Sequence, residues 1–184
     1  MKKQTKNKTC IPFGNTAKAF AQNFLLILTA LVLGFFPYRA FAQNPDFLFA
    51  KGIGGGAGGS DEGKSIAVDP DGNMYVTGYF AGLVDFDPSA SAALRFSTGG
   101  NDLFLAKYNA SGNFVWAYAI GGSGSEQGND VAVDESGNVY VTGFFGGTVD
   151  FDPSGATANL VSAGSNDAFI AKYSSSGAYL WAKA

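Results

Sequence analysis

Two pairs of aspartates, Asp85/Asp87 and Asp150/Asp152, sit in the same setting, Val-Asp-Phe-Asp-Pro. Two positions apart on an extended chain, the carboxylates of a pair project from the same side. Two carboxylates with nearby backbone carbonyls are the beginnings of a calcium site, since Ca²⁺ takes roughly six to eight oxygen ligands. The competing role is structural, with the carboxylates accepting hydrogen bonds from turn backbone and from Lys107 or Lys172. Recurrence of the pair favours the structural role; one structural Ca²⁺ per repeat is the minority alternative, and no other cofactor is expected.

Other chemistry is narrowed by what is missing. The chain has no histidine and one cysteine, Cys10. Ser–His–Asp and Cys–His nucleophiles are therefore excluded, and with them the commonest general base and transition-metal ligand. A carboxylate pair for glycoside hydrolysis would have to be assembled from distant segments, and nothing marks one out. Asp69-Pro70-Asp71-Gly72-Asn73 resembles half of a calcium loop, but Ser136 replaces the second Asp in its copy and no glutamate follows at the right distance. It reads as a hairpin turn. Gly54–Gly59 lacks the Lys-Ser/Thr ending and following helix of a phosphate cradle and reads as a linker. Lys107 and Lys172 read as struts paired with Asp. Trp116 and Trp181, which would suit stacking on a sugar, read as packing residues because they recur at matching positions.

All of these residues belong to a duplication. Residues 62–119 and 127–184 align without a gap and are about 55% identical. A unit of this length does not bury its apolar faces alone and must stack on copies of itself. Each copy holds four strand candidates: Ile66–Asp69, Asn73–Phe80, Asp102–Tyr108 and Asn113–Ile120, matched by Val131–Asp134, Asn138–Phe145, Asp167–Tyr173 and Ala178–Ala184. Asp-x-x-Gly and Asn/Ser-x-Ser-Gly segments supply the hairpin turns. A longer excursion from Gly82 to Gly100 separates the second strand from the third. In Asp102–Tyr108 both faces are apolar, which suits a sheet sandwiched between two like sheets, as in a β-propeller. An open sandwich or barrel, the alternative, would show a cleaner polar face.

The N-terminal stretch is different. Lys2, Lys3, Lys6, Lys8 and Lys18 precede an apolar run, Phe24–Phe36, that gives way to Pro37-Tyr38-Arg39-Ala40-Phe41-Ala42. This reads as a secretory signal cut after Ala42; a retained anchor is the alternative, though the run is short for a membrane span. Cys10 lies before the run, which excludes a lipoprotein signal. Beyond residue 42 the chain carries six Lys/Arg against fifteen Asp/Glu, a net charge of −9. Such a chain has no cationic stripe for nucleic acid.

The motifs resemble those of the bacterial SBBP-type (seven-bladed) β-propeller repeats. The resemblance rests on Ile66-Ala67-Val68-Asp69, Gly72-Asn73-Met74-Tyr75-Val76-Thr77-Gly78, Asp102-Leu103-Phe104-Leu105-Ala106-Lys107-Tyr108 and Trp116, and on their copies around Asn138–Gly143, Asp167–Tyr173 and Trp181. It implies an exported or cell-surface protein, of the kind common in Gram-negative bacteria such as Bacteroidetes, and it implies no activity. Propellers close with about four to eight blades. This chain reads as a partial propeller: a signal over 1–42, an orphan fourth strand (Asp46–Ile53) with a glycine-rich linker over 43–61, and blades over 62–120 and 121–184.

The expected fold is thus all-β, with propeller-type blades of four antiparallel strands in two repeats. The expected function is a non-catalytic scaffold or binding module, secreted or at the cell surface. Its expected partners are further blades of a longer chain or other copies of itself, and an extracellular glycan or protein; no nucleic acid is expected. The alternative is the N-terminal part of a propeller enzyme of lyase or lactonase type whose catalytic blades lie elsewhere.

Overall fold

The computed structural model describes residues 49–55 and 59–184, so the expected signal, 1–42, lies outside the described residues. Among them every helix-or-strand element is a strand. The first repeat contains β1 (Gly54–Gly55), β2 (Glu62–Val68), β3 (Met74–Phe80), β4 (Leu83–Asp85), β5 (Leu94–Phe96), β6 (Asp102–Tyr108) and β7 (Phe114–Ile120). The second contains β8 (Gln127–Val133), β9 (Val139–Phe145), β10 (Thr148–Asp150), β11 (Asn159–Val161), β12 (Asp167–Tyr173) and β13 (Tyr179–Lys183). Two four-stranded antiparallel sheets result, β2-β3-β6-β7 and β8-β9-β12-β13, which are propeller blades.

The hairpin turns follow from the Asp-x-x-Gly-Asn-x-Tyr motif. Asp69 Oδ1 accepts the backbone N–H groups of Asp71 (3.0 Å) and Asn73 (2.8 Å), while its Oδ2 accepts from Asn73 Nδ2 (2.8 Å) and the Tyr75 hydroxyl (3.3 Å). Asp134 binds Ser136, Asn138 and Tyr140 in the same way. Gly72 and Gly137 close these turns at φ 82° and 78°, where a side chain would be strained. One carboxylate thereby satisfies the turn's donors and fixes the register of β2 on β3.

The excursions hold structure that the pattern does not announce. In each repeat a short hairpin forms, β4 with β5 and β10 with β11, and β1 adds a third strand to the first. Only Val84 of β4 is buried, while Leu83, Leu94 and Phe96 point outward. Three-residue strands of that kind carry too little alternation to be recognised. Phe86, just beyond β4, closes the space between hairpin and sheet against Phe80 and Phe104, at ring-centre distances of 5.5 and 5.1 Å. Phe151 repeats this with Phe145 and Phe169.

Each blade has a leading face, lined in the first blade by Val76, Phe104 and Ala106, and a trailing face lined by Tyr75, Thr77, Leu103 and Leu105. The trailing face of blade 1 packs on the leading face of blade 2 in one continuous core, which joins Tyr75, Leu103, Leu105 and Ile120 to Val131, Val139, Val141 and Ala171. Burial of side chains such as Leu105 and Val131 contributes about 2 kcal/mol each. Between the first strands, Ser65 Oγ donates to Asp130 Oδ1 (2.6 Å); farther out, Lys107 Nζ donates to the Ser175 carbonyl (3.0 Å).

The expected orphan strand is corrected in part. Residues 49–53 form no strand, because a fourth strand needs a third strand of its own sheet beside it; Gly54–Gly55 pairs instead with β4. The segment nevertheless lies where a preceding blade's fourth strand belongs. Phe49 rests on Gly112 as Tyr118 rests on Gly177, and Gly55 approaches the Leu83 carbonyl as Gly122 approaches that of Thr148. Asp61 Oδ2 accepts from Gly55 N (3.1 Å) as Glu126 Oε2 accepts from Gly122 N (2.9 Å).

The interblade spacing is set at Gly128, where an added Cβ would collide with Thr77 Oγ1 and press on Leu103. Its counterpart Gly63 meets nothing closer than Val76, at 3.8 Å. Gly128→Ala is therefore expected to destabilise by about 1–3 kcal/mol, whereas Gly63→Ala stays close to neutral. Urea unfolding midpoints of the two variants check this, and equal losses would refute it.

Candidate functional site

The four aspartates singled out as a calcium set are placed by the ends of β4 and β10. Asp85 Oδ1 accepts the N–H groups of Asp87 (3.0 Å) and Ala93 (2.9 Å); Asp87 Oδ1 accepts that of Ser89 (2.9 Å). Asp150 binds Asp152 N (3.0 Å) and Ala158 N (2.8 Å), and Asp152 binds Ser154 N (2.9 Å). Each pair thus pins the mouth of its excursion, and the two Ala93 and Asp87 bonds hold the Asp85 carboxyl below its usual value. Among the described residues no group of three or more His, Cys, Asp or Glu is placed to hold a metal ion.

The lysines do not reach these pairs. Lys172 Nζ pairs with Asp134 Oδ2 at 3.7 Å and lies 4.7 Å from the centre of the Tyr140 ring. Lys107 takes the same position over Tyr75, at 4.9 Å. The expected Lys partner is corrected accordingly: Lys172 pairs with the hairpin-capping Asp134 and Lys107 donates to the Ser175 carbonyl, because both lysines share a cross-strand row with Tyr140 and Tyr75, away from the aspartate pairs. Burial works against ionisation of Asp69, but the Asn73 and Tyr75 hydrogen bonds and the Lys107 charge outweigh it and keep its carboxyl low.

The tryptophans pack on neighbouring aromatics. Trp116 stacks on Tyr118 (5.0 Å) and meets Tyr75 edge-on (6.1 Å), and Trp181 meets Tyr140 edge-on (6.4 Å). The Trp116 indole nitrogen is buried without a hydrogen-bond partner.

A pair of acids escaped sequence reasoning. Asp102 and Glu126 are 2% and 0% exposed, both at the junction of the blades. Asp102 accepts from Thr98 N at 3.1 Å with each oxygen; Glu126 accepts from Gly122 N (2.9 Å) and Gly146 N (3.5 Å). The backbone beside them is stitched by Gly100 N to Gly124 O (2.9 Å) and Glu126 N to Asn101 O (2.7 Å). Burial raises both carboxyls above their usual values against these hydrogen bonds, and the Asp102 charge adds to the effect on Glu126. Their burial leaves no room for a substrate. The usable signal was that Glu126 occupies the place of Asp61, and that Asp102 recurs as Asp167.

Comparison with known sequences agrees with this geometry. Residues 53–79 and 115–143 match the SBBP family model, described as a beta-propeller repeat. Each match runs from the fourth-strand position across the glycine linker into the second strand of the next blade, so the matched unit straddles the blade boundary. The chain is a β-propeller repeat protein. It is similar to an uncharacterised WD repeat-containing protein of Acanthamoeba polyphaga mimivirus, at 34% identity over 127 residues, 64% of this chain and 9% of the relative. The chain therefore spans under a tenth of the length of the curated relative it matches.

Two outcomes are expected. Asp85→Ala lowers the melting temperature while Asp85→Asn, which keeps the accepting oxygen, lowers it less, and both effects are the same in calcium and in chelator. A wild-type melting temperature that rises with millimolar calcium would make the pairs metal ligands. Asp102 has a raised pKa, so its contribution to stability is present in acid and lost as pH rises through its folded value. Asp102→Asn is then expected to gain on wild type as pH rises from the acid range toward neutral, read from urea unfolding. A difference independent of pH would contradict it.

Proposed function

We propose that this protein is an exported, non-catalytic scaffold or binding module, built to present the rim and loops of its blades to an extracellular glycan or protein. One observation carries the proposal: the side chains best able to do chemistry have the same structural duties in both copies. Asp69/Asp134 cap hairpins, Asp85/Asp150 pin excursions, and Tyr108/Tyr173 donate to the Phe86 and Phe151 carbonyls at 2.8 and 2.9 Å. An active site would draw one copy away from the other, as catalysis at a single place needs residues that its sister blade lacks.

Export is supported by the charged N-terminal region, the apolar run Phe24–Phe36 and the small residues before Gln43. The acid excess beyond residue 42 suits neutral or cationic partners more than nucleic acid. Among the described residues no helix is long and apolar enough to cross a membrane.

The test is expression of the full chain with a C-terminal tag in a Gram-negative host, followed by fractionation and N-terminal sequencing. A tagged product outside the cytoplasm that begins at Gln43 is expected, and the released chain should bind members of a glycan array without altering them. Cytoplasmic retention with Met1 intact removes the export reading. Turnover of an arrayed polysaccharide to an unsaturated product removes the non-catalytic one.

A further inference from the structure

The hairpin tips that join first to second and third to fourth strands are closed by one device in both blades. Asp69, Asn109, Asp134 and Ser174 each hold a side-chain oxygen on the backbone N–H four residues ahead, at 2.8, 2.9, 2.8 and 3.1 Å. Asp69, Asn109 and Asp134 also take the N–H two residues ahead, each at 3.0 Å. The device asks for an accepting oxygen, which aspartate, asparagine and serine all supply.

Asn109 brings a second group that its turn does not use. Its Oδ1 accepts from Ser111 N and Asn113 N, so Nδ2, on the other side of the planar amide, is directed away from the turn backbone. Among the described residues no hydrogen bond engages that nitrogen, whereas the amide nitrogens of Asn73 and Asn138 are held on Asp69 and Asp134. Ala110 and Ser111 are exposed, and Ser111 serves the turn through its backbone N–H alone.

An asparagine with a hydroxyl residue two positions on, and no proline between them, is the acceptor pattern for N-linked oligosaccharide. Beyond residue 42 it occurs once, as Asn109-Ala110-Ser111. The copy in blade 2, Ser174-Ser175-Ser176, keeps the hydroxyl and lacks the amide. Asn7-Lys8-Thr9 repeats the pattern within the expected signal, outside the described residues.

We infer that Asn109 is an acceptor for N-linked glycosylation, at an exposed hairpin tip whose counterpart in blade 2 cannot be one. The co-reactant is a lipid diphosphate-linked oligosaccharide, brought by its transferase. Nδ2 gives up one proton and bonds to the anomeric carbon of the first sugar; the bond from that carbon to the diphosphate oxygen breaks, and the lipid diphosphate leaves with the electron pair. Nδ2 keeps its other hydrogen and Oδ1 keeps both hydrogen bonds, so the hairpin is compatible with the modification. The inference rests on the export reading, because such transfer takes place beyond the cytoplasm.

The test is expression of the full chain in a eukaryotic secretory host. The product is read by N-terminal sequencing and by peptide mass spectrometry before and after amidase release of N-linked glycans. Most of the secreted wild type is expected to carry a glycan on the peptide that holds Asn109, and release converts that asparagine to an aspartate. Ser111→Ala, which leaves the backbone bonds of the cap in place, is expected to lose the glycan entirely, and Ser111→Thr, which restores the hydroxyl, to keep it. A secreted wild-type chain that is bare at Asn109 overturns the inference, as does a glycan that persists in Ser111→Ala. Retention in the cytoplasm counts against export alone. The full chain placed behind a signal of the host is then read at Asn109, where a glycan supports the site and a bare asparagine overturns it.

Discussion

A four-stranded sheet that is apolar on both faces has to be covered twice, and this constraint organises the protein. Alternation along β6 sends Leu103 and Leu105 to one side and Phe104 and Ala106 to the other, so neither side suits water. The short hairpins and their phenylalanine plugs cover only the outer part of a leading face. The rest is covered by another blade, and the junction of blades 1 and 2 brings together the larger of the two buried clusters among the described residues. Close approach is possible there because the first strand of blade 2 presents glycine to Thr77. Even the polar contacts at the junction, Ser65 to Asp130 and Lys107 to Ser175, leave the apolar seam between them intact.

The cost of that junction is electrostatic. Asp102 and Glu126 lose water where the blades meet, and the two ion pairs among the described residues, Lys64–Glu62 and Lys172–Asp134, lie elsewhere. Backbone N–H groups, not cations, stabilise the buried carboxylates, so the junction has a pH response opposite in sign to that of the hairpin caps. Capping aspartates such as Asp69 and Asp134, held below their usual values, contribute above the acid range and lose that contribution as pH falls. The two Asp102 and Glu126 sites gain as pH falls. Acid therefore loosens the turns of each blade while it tightens the contact between blades.

Much of this was legible in the chain because repetition separates structure from accident. A residue present at both members of a pair 65 positions apart, such as Asp69 with Asp134 or Tyr108 with Tyr173, was selected by the blade and not by one place in it. The strand order, the hairpins and the two-faced sheet all follow from such residues. What stayed hidden depends on neighbours in space: β4 and β5 are too short to show a period, the partner of Lys172 lies across strands, and Glu126 becomes buried only when two blades close on it. The aspartate pairs were visible as a motif, yet whether a carboxylate serves a turn or an ion is decided by which N–H groups the fold points at it.

Positions where the copies differ are those that the shared frame leaves free to vary. Structural duty holds Asp, Gly, Phe and Tyr in common, leaving variation to Lys64/Asn129, Pro70/Glu135, Arg95/Leu160 and Tyr118/Lys183. Arg95 shows how such a difference is used, since its Nε donates to the Ala117 carbonyl at 2.9 Å and ties the hairpin of blade 1 to its fourth strand. Leu160 makes no such bond, so the excursion of blade 2 is held by its backbone pairing and by the Asp150 contacts. Loops anchored unequally on an otherwise repeated frame allow a repeat scaffold to present distinct surfaces from one blade to the next.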